Sequence, residues 1–259
     1  MLEGKILCDP EQEAPYIFKK LGEEEKIKRT LWPTLLYVDS GEMMVYDQEQ
    51  EVDLPLKKWI LRHGTGIIMP EVQRNYLWRM SQGCRAFSLE LLSSGDFLQR
   101  TTEETDIPLE RVTALGNKRV TKPWGYEQWL AHLPNHGALK ILHVKKRKEL
   151  SLQVHRKKHE TSYVLKGEVD VLRGLHVDPQ TREEELRRQV TVTDLAPYWQ
   201  RKYMAQYWTV QPGEVHRMRA VRDTWILEAS TPELDDVIRL QDNYQRPSGR
   251  IEKEHEISK

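Results

Sequence analysis

Residues 150 to 167 read "LSLQVHRKKHETSYVLKG" and set Gln153, His155, His159 and Glu160 within a run that otherwise alternates like a strand. Alternation puts Gln153 and His155 on one face, with Leu152 and Val154 on the other. Glu160 lies beyond a bend at "RKKH", from where the next strand can return it to the same side. His216 arrives on a strand that starts after the Pro-Gly turn of "PGEVHRM". Together, Gln153, His155, Glu160 and His216 offer two imidazoles, one carboxylate and one amide oxygen. That mixed nitrogen and oxygen set suits one divalent ion, Fe, Mn, Co, Ni or Zn, and leaves positions open for water or substrate. A lone histidine is more often a surface or hydrogen-bonded residue; donors gathered in this order point to a metal centre. His159 is an alternative ligand, out of step by alternation with the adjacent Glu160.

The rest of the chain must supply strands to carry these groups. Segments such as "TLLYVDSGEMMVY", "KKWILRHGTGIIMP" and "TWILEAS" are rich in β-branched and aromatic residues and are punctuated by Gly and Pro. Two stretches read differently. "PEQEAPYIFKKLGEEEKIKR" near the N-terminus has the charge density of a helix, and "DPQTREEELRRQV" (178–190) reads as a solvated loop in preference to a helix. An internal repeat organises the remainder. "VDSGEMMV" parallels "VLKGEVDV", "IMPEVQRNYLWRM" parallels "VQPGEVHRMRAV" with Gln73 against His216, and "AFSLELLSS" parallels "TWILEASTP". The second copy is longer, which assigns an insertion to residues 174–200. The polar segment "LLSSGDFLQRTTEETDIPLERV" reads as a linker between domains 1–115 and 116–259.

Composition narrows the function. The 259 residues hold 40 Lys and Arg against 40 Asp and Glu, so no basic field argues for nucleic acid. No apolar run is long enough to span a bilayer. Cys8 and Cys84 are too few for a disulfide framework or a thiolate zinc site. The N-terminus lacks a signal-peptide pattern, so the expected location is cytoplasmic.

The ordered set "KPWGYEQWL", "LSLQVHRKKHETSYVLKGEVDV", "PGEVHRM" and "LEASTPELDDVIRLQDNYQR" resembles the cupin domain of type II mannose-6-phosphate isomerases and related sugar-phosphate cupins over about residues 119–246. The resemblance implies an all-β bicupin of two double-stranded β-helix (jelly-roll) barrels, with a degenerate first copy and one metal in the second. The family's ligands fall on Gln153, His155, Glu160 and His216, while Gln73 replaces the motif histidine of the first copy. The implied substrate is a small sugar or sugar phosphate, and the implied reaction is aldose–ketose isomerisation, in which a base moves a proton between C1 and C2. Lys157 is the candidate base, standing where many cupins have a second histidine. Arg239 in "DDVIRL" matches a family arginine and is the candidate partner of a substrate anion. Gln245 stands where the family has glycine. One fold hosts many reactions, so a metal-dependent lyase or Fe(II) dioxygenase on a small carboxylate is the alternative, and a non-catalytic sugar-binding cupin the third reading. Trp124 and Tyr126 read as packing residues, and the aromatic stretch 196–208 as either a lid or a homodimer surface.

Overall fold

The computed structural model describes residues 5–8, 16–22, 24–27, 34–47, 58–69, 76–91, 113–114, 116–246 and 249–250. The chain divides into two compact units, Met1–Gly116 and Asn117–Lys259. The first is built from β1 (Lys5–Cys8), β2 (Tyr16–Lys20), β3 (Glu24–Ile27), β4 (Thr34–Ser40), β5 (Glu42–Asp47), β6 (Lys58–Arg62), β7 (Thr65–Met69), β8 (Tyr76–Met80), β9 (Arg85–Leu91) and β10 (Thr113–Ala114). The second holds β11 (Lys118–Lys122), β12 (Gly125–Leu133), β13 (Gly137–Val144), β14 (Leu152–Val154), β15 (Glu160–Lys166), β16 (Glu168–His176), helix α1 (Glu183–Val192), β17 (Trp199–Tyr203), β18 (Tyr207–Val210), β19 (Glu214–Ala220), β20 (Thr224–Ser230), β21 (Ile238–Gln241) and β22 (Gly249–Arg250).

Each unit has two antiparallel sheets, ordered β1-β2-β9-β4-β7-β10 and β3-β8-β5-β6 in the first. In the second they run β11-β12-β13-β20-β15-β18 and β17-β16-β19-β14-β21-β22. The repeat is visible in the pairing. β4 pairs with β7 and β9, and β5 with β6 and β8. Likewise β15 pairs with β18 and β20, and β16 with β17 and β19. The hairpins β4–β5 and β15–β16 turn at Gly41 and Gly167, both with positive φ. Counting back from those glycines sets Thr34 at the place of Glu160. Met43 pairs with Met80 and Val169 with Ala220, which sets Tyr76 at the place of His216. Gln73, assigned to that place from the sequence, lies outside the described residues, as does the linker segment from residue 92 to 112.

Two sequence expectations are corrected. The N-terminal charged stretch contains strands, not a helix: Tyr16 and Phe18 are fully buried at alternate positions of β2, the period of a sheet. Residues 183–192 form helix α1, not a loop. Its acidic first turn suits the helix dipole, and Leu186 and Val190, four apart, bury one narrow stripe. That stripe packs on Leu152, Val154, Val215 and Ile238, so it covers the outer face of the strands that carry the site. Burying the two side chains is worth about 1.5–3 kcal/mol each.

Backbone geometry yields a stability prediction. A Cβ at Gly167 would stand 2.4 Å from the Asp223 carbonyl oxygen, and φ there is +100°. Gly167→Ala should therefore destabilise the second unit by about 2 kcal/mol or more. Gln245 has φ +58°, a left-handed conformation that glycine adopts without steric cost. Gln245→Gly should be neutral to stabilising by up to about 1 kcal/mol. Chemical denaturation of the two variants checks both, and a Gly167→Ala protein as stable as the parent would contradict the turn's role.

Candidate metal centre

β14 lies between β19 and β21, and Gln153 is the cross-strand partner of both His216 and Arg239. Directly opposed residues share a face, so Gln153 and His216 point the same way, while Leu152 and Val154 face the helix cluster. His155 follows the strand by one residue and is fully buried. Asp236 then fixes the bend. Its carbonyl accepts from His155 Nδ1, and its carboxylate accepts from the backbone N–H groups of Lys157 (2.5 Å) and Lys158 (2.9 Å). Glu160 opens β15 in the facing sheet, so the site forms where the two sheets of the barrel meet.

The hydrogen bonds decide which histidine nitrogens face inward. His216 Nδ1 lies 3.0 Å from the Glu214 carbonyl oxygen. A carbonyl can only accept, so Nδ1 of each histidine carries the proton and donates it to backbone. Each Nε2 is thereby turned to the cluster, the arrangement that orients metal-binding imidazoles. Glu160 Oε1 is 3.0 Å from His216 Nε2 and 3.6 Å from His155 Nε2. The ligand atoms of His155, Glu160 and His216 all lie within 4.8 Å of one another. His155 Nε2 is buried with no hydrogen-bond partner among the described residues. Gln153 reaches the group through Nε2, 3.0 Å from His216 Nε2, while its Oε1 accepts from Ser151 Oγ at 3.1 Å. Turning the amide over would present the oxygen instead. The donor set, with its unpartnered imidazole nitrogen, fits a divalent ion.

Electrostatics prepare the same donors. Burial holds the His155 imidazole below its ordinary pKa and therefore neutral. Burial also pushes His216 down, but the adjacent Glu160 carboxylate outweighs it and holds that group above its usual value. For Glu160, burial favours the neutral acid; the Lys158 ammonium and then the histidines overcome it and keep the carboxylate ionised well below its normal range. Lys158 is fully buried, which alone would lower its pKa, yet Glu160 and Glu228 raise it, so it is an ammonium. Its Nζ lies 2.6 Å from Glu160 and 3.4 Å from Glu228.

Gln153, His155, Lys158 and Glu160 border an open cavity, and His216 is not among the residues that line it. Trp124, Leu142, Leu150, Leu234 and Val237 make an apolar wall, and Glu127, Lys140, Lys158, Glu160, Glu228 and Arg246 make the charged one. The structure places the sequence candidates unequally. Lys157 is exposed and is not among the residues lining the cavity; the bend that Asp236 pins follows β14, and Lys158 takes the inward position. Arg239 is buried, 3.8 Å from Asp242, and is not among the residues lining the cavity. Arg246 lines it instead, hydrogen-bonded through Nε and Nη2 to Asp242. His159 is tied by its backbone to Thr231 and stands outside the cluster. Trp124 is both core and cavity wall, whereas Tyr126 stacks on His143. No residue of the aromatic stretch 196–208 lines the cavity. Lys140 and Glu228 were missed, although each interrupts an apolar strand, "GALKILHV" and "TWILEAS"; a charge at an inward position is the signal.

No family model and no curated protein matches the sequence. Solved structures do. Lactobacillus farciminis oxalate decarboxylase, in its formate complex, is 10% identical with a TM-score of 0.55, covering 93% of this chain and 85% of that one. Brassica napus procruciferin, an 11S globulin, is 13% identical with a TM-score of 0.59, covering 92% and 86%. The fold is that of a bicupin. Bacillus subtilis oxalate decarboxylase, a protein with Mn(II) centres, is 11% identical with a TM-score of 0.50, covering 87% and 70%. At such identities the likeness carries the bicupin fold and no reaction, since a globulin and a decarboxylase share it.

The geometry of this bicupin predicts one divalent ion per chain. His155→Ala and His216→Ala should each abolish stoichiometric binding, since losing one imidazole leaves a weak, hydrated site. Lys157→Ala should leave it intact. Elemental analysis of purified protein checks this; two ions per chain, or unchanged content in the double histidine variant, would contradict it.

Proposed function

We propose that this bicupin is a metal-dependent enzyme whose C-terminal barrel acts on a small sugar or sugar phosphate, interconverting aldose and ketose. The observation that carries the reading is the convergence of His155 Nε2, His216 Nε2 and Glu160 Oε1, with His155 and Glu160 lining an open cavity; the sequence resemblance supplies the reaction class. The proposed ligands are those three groups, with Gln153 joining through its amide oxygen. The N-terminal unit is proposed to be degenerate, because Thr34 and Tyr76 occupy the places of Glu160 and His216 and offer neither carboxylate nor imidazole.

A bound divalent ion would polarise the substrate's carbonyl and neighbouring hydroxyl. The chain's own groups do the remainder. Lys158 holds Glu160 Oε2, which leaves Oε1 for the ion. As an ammonium, Lys158 can donate a hydrogen bond to a substrate oxygen but cannot take a proton from carbon. That role falls to a carboxylate. Glu228 is engaged by two ammonium groups, Lys140 at 3.1 Å and Lys158 at 3.4 Å. Glu127, the remaining carboxylate that lines the cavity and is not a proposed ligand, is the proposed base. Arg246 has the most exposed side chain of the charged wall residues and is the proposed partner of a phosphate, for which a guanidinium fork is suited. The apolar wall excludes water from the reacting end.

A second reading, a lyase or oxygenase acting on a small carboxylate, draws support from the three cations that line the cavity. Turnover separates the two. In D₂O, Mn-loaded protein should convert mannose 6-phosphate to fructose 6-phosphate with deuterium entering C1 of the product, and in the reverse direction should place deuterium at C2 of mannose 6-phosphate. Glu127→Gln should lower kcat by about 10²- to 10⁴-fold, while Lys157→Ala changes it little. No exchange across a panel of hexose and pentose phosphates rejects the isomerase. Oxygen uptake with Fe(II) and a carboxylate selects the second reading, and tight sugar binding without turnover selects a sensor.

A further inference from the structure

Six charged side chains line the cavity: Glu127, Glu160 and Glu228 against Lys140, Lys158 and Arg246. Three carboxylates meet three cations, so this wall is neutral before any ion binds. The matching is spatial as well as numerical. Lys140 and Lys158 both contact Glu228, at 3.1 and 3.4 Å, and Lys158 continues to Glu160 at 2.6 Å. Just behind the wall, Lys122 stands 3.5 Å from Glu127 and Asp242 stands 2.6 Å from Arg246, which again cancel. Arg239, 3.8 Å from Asp242, adds a positive charge farther back. The one carboxylate that could neutralise a bound ion, Glu160, is already matched by Lys158.

We propose that the Lys140–Glu228–Lys158 chain sets the cavity's charge so that, with a divalent ion bound, it selects small ligands carrying two negative charges. The proposal rests on the metal-centre reading above and narrows its substrate class to dianions, sugar phosphates or dicarboxylates, as against free sugars. The ion adds two positive charges to a wall with no unmatched carboxylate. Uncompensated charge in a protein interior is strongly unfavourable. A neutral polyol leaves that imbalance in place, whereas a dianion removes it. Lys140 and Glu228 face each other across β13 and β20, each about 95% buried as a side chain, so solvent does little to screen them. Lys140 also packs over the Trp129 ring at 4.9 Å, which holds its charge at the wall.

The test is binding by calorimetry to full-length, Mn(II)-loaded protein. Oxalate, glycolate and ethylene glycol present similar oxygen pairs with two, one and no negative charges. Affinity should fall about tenfold or more with each charge removed. A second arm compares mannose 6-phosphate with mannose: a preference for oxalate alone assigns a dicarboxylate, for the phosphate alone a sugar phosphate, and for both the shared charge requirement. Lys140→Gln should weaken dianion binding about tenfold, and Glu228→Gln should strengthen it by a similar factor. The Lys140→Gln/Glu228→Gln pair restores neutrality and should return selectivity to that of the parent, an outcome a merely structural role would not give. Thermal unfolding establishes that each variant is folded, and the ligand series on the unaltered protein stands even if one is not. Equal affinities across both series, with one Mn per chain, overturn the charge proposal and leave the metal centre standing. Failure to bind Mn stoichiometrically overturns both.

Discussion

The two oxygens of Glu160 face different partners, and the interior of the second barrel is arranged around that division. Oε2 takes the Lys158 ammonium at 2.6 Å, and Oε1 faces His216 and His155 at 3.0 and 3.6 Å. A buried carboxylate with one satisfied oxygen and one aimed at two imidazoles requires a cation on its far side. A buried ammonium requires a second carboxylate, because removing one partner of a buried pair costs about 3–5 kcal/mol. Glu228 meets that need, and Lys140 in turn matches Glu228. One ligand thus dictates charged residues on β13 and β20 as well as beside β15.

Position is enforced from both faces. Leu152 and Val154 are held by the α1 cluster on the outside, so Gln153 and His155 have no freedom to roll away from the cavity. Asp236 uses its carbonyl on His155 and its carboxylate on the bend that follows. The same residue therefore sets the imidazole's tautomer and the direction in which Lys158 enters. Donors locked by packing and by hydrogen bonds behind them are preorganised as a group that could hold a divalent ion.

How much of this was readable in the sequence follows from what determines each feature. Strands and the repeat were legible because period-two patterning and the glycine turns at Gly41 and Gly167 are local. The metal-capable group stood out by residue type, and the structure brings His155, Glu160 and His216 together. Lys157 was the candidate from its place in the resemblance; the structure buries Lys158 instead, because the phase of side chains at the bend is set by Asp236, almost eighty residues away in sequence. Helix α1 was missed because its apolar stripe is only Leu186 and Val190 in a charged stretch. Arg246 was missed for a similar reason, since its place depends on Asp242 and the left-handed Gln245 between them.

The two units also show what the topology does not require. In the first unit, strand register sets Thr34 and Ser88 at the places of Glu160 and Glu228, both buried and uncharged. Lys19, at the place of Lys140, keeps its charge but pairs with Glu90 where solvent reaches it, its side chain 30% exposed. Leu36, Val38, Met43, Val45 and Trp78 fill that unit's core. Among the described residues, the same strand order thus builds one barrel whose core cluster is apolar and another with buried lysines and glutamates. Desolvating those ions opposes folding, and an apolar interior would serve the fold equally well. Under the proposed function, the charges of the second barrel answer to its ligand and not to the fold.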